Sequence, residues 1–325
     1  MDYKMNYDFY SMSTGGISNR LKIMSSLIRL AEKTKSNFFF YWPKNKLCNI
    51  AFKDLFQPIN KEINKKEAKK VLKSKNKKYY EDELNFFDFP EKKKIIFSGW
   101  RFIFRINEPV PKSKDILFKG KKNLDYEFFN IPLNLRKDLN LVFQKFKPIP
   151  SLMSKINKFE KKENLSQTIG IHMRRGDFKE SQEVSSDEKF LKKIEELLKI
   201  SPKTRFFLCT DSKESEKIIR AKFGEKIIIY PKTNFDRLEK GFLKEGLIEL
   251  FLLSKTKHII GSYLSSFTEM AWWLGGCKAK IEILANEEDK KNTLKKKQIK
   301  IIPFLKRKIY NLITPLYKRI LSSNI

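Results

Sequence analysis

Residues 168 to 177 read Thr168-Ile169-Gly170-Ile171-His172-Met173-Arg174-Arg175-Gly176-Asp177. An apolar run enters this stretch as a short buried strand and stops at a histidine, two adjacent arginines, a glycine and an aspartate, so the polar cluster sits at the strand's C-terminal end. Ligands of open α/β sheets bind at that end. Two neighbouring guanidinium forks fit phosphate oxygens, and Gly176 lets a backbone come close to a ligand, which makes a diphosphate the natural guest. An Arg pair that salt-bridges Asp177 and nearby carboxylates is the other reading, and the stretch alone leaves both open.

The chain that follows alternates strictly. Ser185 and Glu188 have capping-box spacing ahead of a helical face of Phe190, Leu191, Ile194, Leu197 and Leu198. Strands are expected over 205–210, 226–230, 258–261 and 280–284, and helices over 214–223, 242–253 and from Ser265 to Leu274, the last ended by Gly275-Gly276. Such alternation predicts an α/β fold with a doubly wound parallel sheet. Polar residues close three of its strands: His172 to Asp177, Thr210-Asp211, and Ser262 to Ser266. They converge on one sheet edge, where a carboxylate suits ribose hydroxyls or base amino groups, and serines at a helix N-terminus suit phosphate. Taken singly, Asp211 also reads as a helix N-terminal carboxylate, and the Ser265-Ser266 pair as an N-cap.

The first half opens the same way. Tyr7 to Ser13 reads as a strand, Thr14-Gly15-Gly16 as a turn, and Ile17, Leu21, Met24, Leu27, Ile28 and Ala31 as one face of a helix. That turn either contacts phosphate or is a plain tight turn; it has neither the GxGxxG spacing nor a P-loop lysine. Phe-Phe-Phe-Tyr-Trp, inside residues 37–42, predicts a second parallel strand. Residues 51–56 suggest a short helix, 61–78 a lysine-laden helical or loose segment with a solvated surface, 94–100 a strand ended by Gly99, and 133–146 a helix among Pro109, Pro111, Pro132, Pro148 and Pro150. Pro148 and Pro150 mark the expected border between domains 1–150 and 151–290, with a tail over 291–325.

Composition sets the outer bounds. A chain of 325 residues suits two domains, and 41% apolar residues with 28 Phe are ample for buried cores. The net charge of +31 suggests nucleic acid, but Lys, Asn, Ile and Phe are abundant together, as an AT-rich coding sequence yields without selection for charge. No RRM, KH, OB or helix-turn-helix signature accompanies it, so no specific nucleic-acid partner is expected. Cys48, Cys209 and Cys277 are scattered and only His172 and His258 are available, which argues against disulfides and a histidine-rich metal centre. With no signal-peptide pattern and no long apolar run, the chain is expected to be cytoplasmic.

Taken together, these blocks resemble the fucosyltransferase superfamily that includes α-1,2-, α-1,6- and protein O-fucosyltransferases. His172-Met173-Arg174-Arg175-Gly176-Asp177 is similar to its HxRRxD block, Phe206 to Asp211 to its strand ending in TD, Glu249 to Ala271 to its acidic-LS-strand-SSF-helix block, and Gly15-Gly16-Ile17-Ser18-Asn19-Arg20 to its GGxxNR/Q opening. The resemblance implies a GT-B-like fold, two Rossmann-like domains facing a cleft, and inverting, metal-independent transfer of fucose from GDP-fucose to a glycan acceptor with no cofactor. It places Arg174 on the β-phosphate with Arg175 beside it, His172 on the guanosine diphosphate, and Asp211 and Glu249 near the nucleotide, Glu249 standing where relatives have aspartate. Ser265 and Ser266 match phosphate-binding serines with Phe267 after them, and Gly16, Asn19 and Arg20 complete the donor set. Arg20 and Ser18 lean toward the α-1,6 branch and Arg-Gly-Asp-Phe toward α-1,2, so the linkage stays open.

An inverting transfer needs the departing diphosphate stabilised and a base for the acceptor hydroxyl. Arg174 suits the first role; Asp177, Glu180 and Glu183 are the carboxylates available for the second. The tail has no acidic residue beyond Lys290 and alternates cations with apolar residues, with short helical pieces at 304–314 and 315–322. It is expected either to lie on an anionic membrane surface as a peripheral anchor or to pack back on the protein. A glycosyltransferase of the same architecture using another nucleotide sugar is the alternative enzyme reading, and a basic nucleic-acid-binding protein the alternative outside enzymes.

Overall fold

The structure is a computed structural model that describes residues 6–80, 86–87, 92–98, 105–106, 133–176, 179–233, 235, 239–286 and 288–289. Gly99, Pro109, Pro111, Pro132, Asp177 and the tail 291–325 lie outside the described residues.

In the first half the chain runs β1 (Asp8–Ser11), α1 (Ile17–Lys33), β2 (Asn37–Phe40), a 3-10 turn (Phe52–Asp54), β3 (Lys61–Glu62), α2 (Lys65–Lys73), β4 (Lys77–Tyr80), β5 (Phe86–Phe87), β6 (Lys94–Phe97) and β7 (Arg105–Ile106). Two helices follow, α3 (Leu133–Phe143) and α4 (Pro150–Glu163). The second half runs β8 (Ile169–Met173), α5 (Lys179–Val184), α6 (Asp187–Ile200), β9 (Phe206–Thr210), α7 (Lys213–Phe223), β10 (Ile227–Ile229), α8 (Lys240–Leu253), β11 (His258–Gly261), α9 (Ser266–Leu274) and β12 (Lys280–Ile283).

Each half builds a five-stranded parallel sheet, in the orders β3-β2-β1-β6-β4 and β10-β9-β8-β11-β12; β5 and β7 form a separate parallel pair. In both sheets the order reverses beside the first strand of the half, β1 or β8, and a crevice opens at the strands' C-terminal ends at such a reversal. β8 and β9 are buried at all five positions, as strands covered by helices on both faces must be.

The core is shared between the halves. α1 buries its expected apolar face, and it also buries Arg20, Lys22 and Arg29 because α3 and α9 cover its other side. Trp273 of α9 stacks on Phe143 of α3 with ring centroids 5.3 Å apart. Burial of such an aromatic pair contributes a few kcal/mol, roughly 0.5–1.5 of it beyond area alone.

The segment 61–78, expected as helical or loose, holds the capped helix α2 between the short strands β3 and β4, which were not expected: Asn64 Oδ1 accepts from the amides of Lys66 and Glu67, and Glu67 Oε2 accepts from the Asn64 amide. Pro150 begins α4 as an N1 proline, while the segment before it pairs back on residues 55–57 through Gln57 N donating to Lys147 O and Ile149 N to Leu55 O. Ser185 is not the cap of α6, whose N-cap is Ser186; its hydroxyl donates to Leu284 O at 2.7 Å and accepts from the Tyr263 amide at 2.9 Å, tying the loop after β11 to the end of β12. Among the described residues no helix is long and apolar enough to cross a membrane.

Candidate active site

The C-terminal ends of β8, β9 and β11 bring the predicted polar residues together. β8 carries His172 and delivers Arg174 one residue beyond its end; β9 delivers Asp211; the turn after β11 delivers Ser262 and Ser265 at the start of α9. Arg174 Nη1 donates to Asp211 Oδ2 at 2.5 Å and the Arg174 amide donates to Ser262 Oγ at 2.9 Å. With 22% of its side chain exposed, Arg174 has a solvent-facing edge and a fixed buried one.

Asp211 braces the turn. Its Oδ1 accepts from the amides of Arg175 at 2.6 Å and Gly176 at 3.1 Å, so one carboxylate holds three donors. These bonds engage both oxygens, so Asp211, expected near the nucleotide, here positions Arg174 and the turn behind it. The close approach that Gly176 permits is likewise that of Asp211: a Cβ there would lie 2.7 Å from Asp211 Oδ2. This corrects the expectation of a ligand at that glycine.

Arg175 is a second correction. Successive side chains leave an extended chain on opposite faces, so the two forks diverge. Arg175 turns inward: Nε donates to Asp187 Oδ1 at 2.6 Å, Nη1 to Arg174 O at 2.9 Å, and the guanidinium lies over the Phe190 ring. Asp187, at the first position of α6, also accepts from Ser215 Oγ at 3.2 Å. One fork keeps a solvent-exposed edge; the other fastens α6 and α7 beneath it.

His172 is buried, and its Nδ1 hydrogen bonds Thr268 Oγ1 at 2.8 Å with Ser265 Oγ at 3.4 Å. Phe267 stacks on the imidazole at 4.6 Å. Burial, with Arg174, Arg175 and Lys232 nearby opposing the pull of Asp211, drives its pKa down to about 3, so the ring is neutral. Ser265 is the N-cap of α9, yet its hydroxyl turns to His172 and makes no capping bond. The first turn of α9, which begins at Ser266, therefore has no side-chain cap on its amides.

Glu249 is buried on α8, not at the mouth. Its Oε1 lies 3.0 Å from Lys232 Nζ, which also donates to Thr210 O at 2.5 Å. Burial lifts the Glu249 pKa to about 7 although Lys232 pulls it down. The expected contact of Glu249 with a nucleotide becomes a support beneath the end of β9. Arg20 is also structural: 1% exposed, it donates Nε to Gly15 O at 2.6 Å and Nη1 to Pro43 O at 2.8 Å, and lies over Trp42. It pins the Gly15-Gly16 turn from inside. Gly16 N-caps α1 without a side-chain bond, and Asn19 is half-buried on the same first turn, packed against Gly15. Glu180 is half-buried and Glu183 exposed on α5, just beyond the Arg174 turn.

Sequence reasoning missed Asp187, Thr268 and Lys232. Thr268 follows the SSF run and faces His172 because Gly261 has no Cβ to collide with it; the glycine closing an apolar strand was the available signal. Among the described residues no group of three or more His, Cys, Asp or Glu is placed to hold a metal ion.

Two parallel five-stranded sheets flanked by helices, with the polar cluster at the strand ends of the second, define the α/β GT-B-like fold of fucosyltransferases. Solved structures that share it include the α-1,6-fucosyltransferase NodZ of Bradyrhizobium, in a crystal soaked with GDP-fucose, at 16% identity and a TM-score of 0.54 over 83% of this chain and 92% of that one. A mutant of Arabidopsis thaliana FUT1 in complex with GDP matches at 14% identity and 0.52, over 87% of this chain and 71% of that one. POFUT1 in complex with GDP matches at 10% and 0.50, over 87% and 99%. No protein-family model matches the chain, and no curated protein matches its sequence.

Proposed function

We propose that this chain is a glycosyltransferase that moves fucose from GDP-fucose to a glycan hydroxyl, with inversion at the sugar and without a metal. The observation that carries the reading is Arg174: a partly exposed guanidinium, fixed by Asp211, on a residue whose amide is bonded to Ser262 in the turn before the uncapped start of α9. The fold it shares with NodZ soaked with GDP-fucose and with POFUT1 in complex with GDP supports that donor.

On this reading residues 151–290 hold the donor and residues 1–150 offer the acceptor. As the bond from fucose to the β-phosphate breaks, negative charge grows on the diphosphate. Arg174 and the first amides of α9 meet it already oriented, in a partly desolvated crevice where such donors act strongly. His172, neutral, contributes an imidazole edge without adding charge. The acceptor oxygen attacks from the opposite face and its proton passes to a carboxylate of the 177–180 segment, Asp177 or Glu180. The basic tail 291–325 would hold the enzyme on an anionic membrane surface at the cytoplasmic side.

The test uses purified full-length chain with GDP-fucose and a glycan acceptor mixture. Arg174→Ala lowers turnover about a hundredfold or more, the usual loss of one such donor, while circular dichroism stays native. Full transfer by that variant refutes the assignment. Calorimetry with GDP, UDP and ADP fixes the nucleotide: binding of UDP or ADP with none of GDP replaces GDP-fucose by another nucleotide sugar.

A further inference from the structure

Between residues 61 and 78 stand nine lysines and two glutamates. Ala68 and Val71 are the buried residues of α2, so the helical period turns Lys66, Lys69, Lys70 and Lys73 outward, and all four are exposed. Lys61 begins β3 and Lys75 lies in the turn from α2 to β4, both exposed as well. Because the strands are parallel, these two and the last turn of α2 share the edge of the first sheet that lies away from its C-terminal strand ends. Among the described residues, none of these six lysines forms an ion pair. The glutamates are engaged elsewhere: Glu67 closes the cap at the far end of α2 through the Asn64 amide at 2.8 Å, and Glu62 has Lys53 as its neighbouring cation. An AT-rich coding sequence supplies lysines to every surface alike, but it does not clear one face of acids. Lysines of the second half meet carboxylates: Lys193 pairs with Glu282, Lys222 with Glu195 and Lys189 with Asp289.

We propose that the lysine face of α2, with Lys61 and Lys75 beside it, docks this protein on an anionic phospholipid surface. Six ammoniums without counter-charges repel one another, and a negative surface relieves that repulsion. The face suits lipid better than nucleic acid. Its cations are compact ammoniums, suited to a diffuse negative surface, and none is an Arg fork. α2 has no aromatic ring on which a base could stack. Leu72, 40% exposed, borders the lysines, and an apolar side chain gains from the boundary between headgroups and acyl chains. Docking through this edge keeps the Gly15-Gly16 turn, at the opposite end of β1, away from the lipid.

Flotation tests the full-length chain with vesicles of phosphatidylcholine alone or mixed with phosphatidylserine. The α2 variant combines Lys66→Gln, Lys70→Gln and Lys73→Gln, which keep the helix propensity. A control of equal net charge combines Lys155→Gln, Lys158→Gln and Lys161→Gln, all exposed on α4. Both variants retain the tail 291–325, so the comparison reads α2 alone. Wild type floats with the mixed vesicles, less at high salt, and not with phosphatidylcholine. Each ammonium removed lowers partition about fivefold, so the α2 variant binds about a hundredfold more weakly, while the control stays near wild type. Equal losses in the two variants reduce the effect to net charge, and wild-type flotation of the α2 variant leaves the tail as the anchor; either result overturns the inference. A gel shift in which wild type binds RNA and the α2 variant does not, with flotation unchanged, makes nucleic acid the partner and overturns it too. Wild type that ignores phosphatidylserine removes the α2 face and the tail together. The donor is read separately by calorimetry: both variants bind GDP as wild type does, and a wild type that binds no GDP removes the proposed transfer without touching this surface.

Discussion

One added methyl group tests whether Asp211 sets the position of Arg174. In Gly176→Ala the new Cβ would stand 2.7 Å from Asp211 Oδ2 and 3.4 Å from its Cγ, with no other heavy atom of the described residues within 4 Å apart from the adjoining ones. Favourable carbon contacts begin near 3.5 Å, so the carboxylate must withdraw by several tenths of an ångström. The oxygen it moves is the one 2.5 Å from Arg174 Nη1, and the other oxygen holds the amides of Arg175 and Gly176 at 2.6 and 3.1 Å. A hydrogen bond to a charged group contributes roughly 1.5–3 kcal/mol, and a loosened one keeps part of that. The expected loss in GDP binding is therefore about 1–2 kcal/mol, or about five- to thirtyfold in Kd. Because Gly176 is exposed, the fold feels the change far less than the site does. The assay is calorimetry with GDP on Gly176→Ala, Asp211→Ala and the double variant. Once residue 211 is alanine the methyl at 176 meets no side chain among the described residues, so the double variant should bind GDP as Asp211→Ala does. If the two losses add in full, or if Gly176→Ala binds GDP like wild type, the bracing role assigned to Asp211 is wrong.

Arg175→Lys keeps the charge but cannot reach both Asp187 and the Arg174 carbonyl, so it lowers stability by about 2 kcal/mol and leaves GDP affinity near wild type. Urea melts and calorimetry check this, and a variant that is stable but unable to bind would return Arg175 to the donor. For His172, a folded pKa of about 3 lies below the unfolded value near 6.5, so the unfolded chain binds the proton first. This contribution to stability is complete above pH 6.5 and is lost as pH falls from about 6.5 toward 3. Only two histidines are present, so NMR should show one imidazole that stays neutral in the native protein down to pH 4.5, and His172→Asn should flatten the fall in urea-melt stability between pH 7 and 5. Titration of His172 near pH 6.5 in the folded state would contradict its burial.

The second sheet was legible because its strands are short apolar runs that end abruptly in polar residues, as 169–173 and 206–210 do, and burial on both faces demands that pattern. β3 and β4 were not, since they lie toward the edges of the first sheet, where lysines and tyrosines replace the apolar run.

At the site the residue types were legible and their orientations only partly so. The pairing of Arg174 with Arg175 suggested two forks on one diphosphate, but adjacent residues leaving a strand face opposite ways, and that rule already assigns at most one of them to the crevice. Which one depends on Asp211 and Asp187, acidic residues at the starts of two later elements, and on Phe190, whose ring can underlie only the inward guanidinium. The same holds for Glu249 and Arg20: each sits where a ligand-binding residue was expected, and each is turned inward because a buried partner, Lys232 or the Gly15 carbonyl, satisfies it there. Apart from Gly15, five residues from Arg20, these partners lie a dozen or more residues away in sequence, and no local period marks them. A motif therefore identifies the strand end at which chemistry is possible, while the acid–base pairs that the fold creates decide which of its side chains keeps a solvent-exposed edge there.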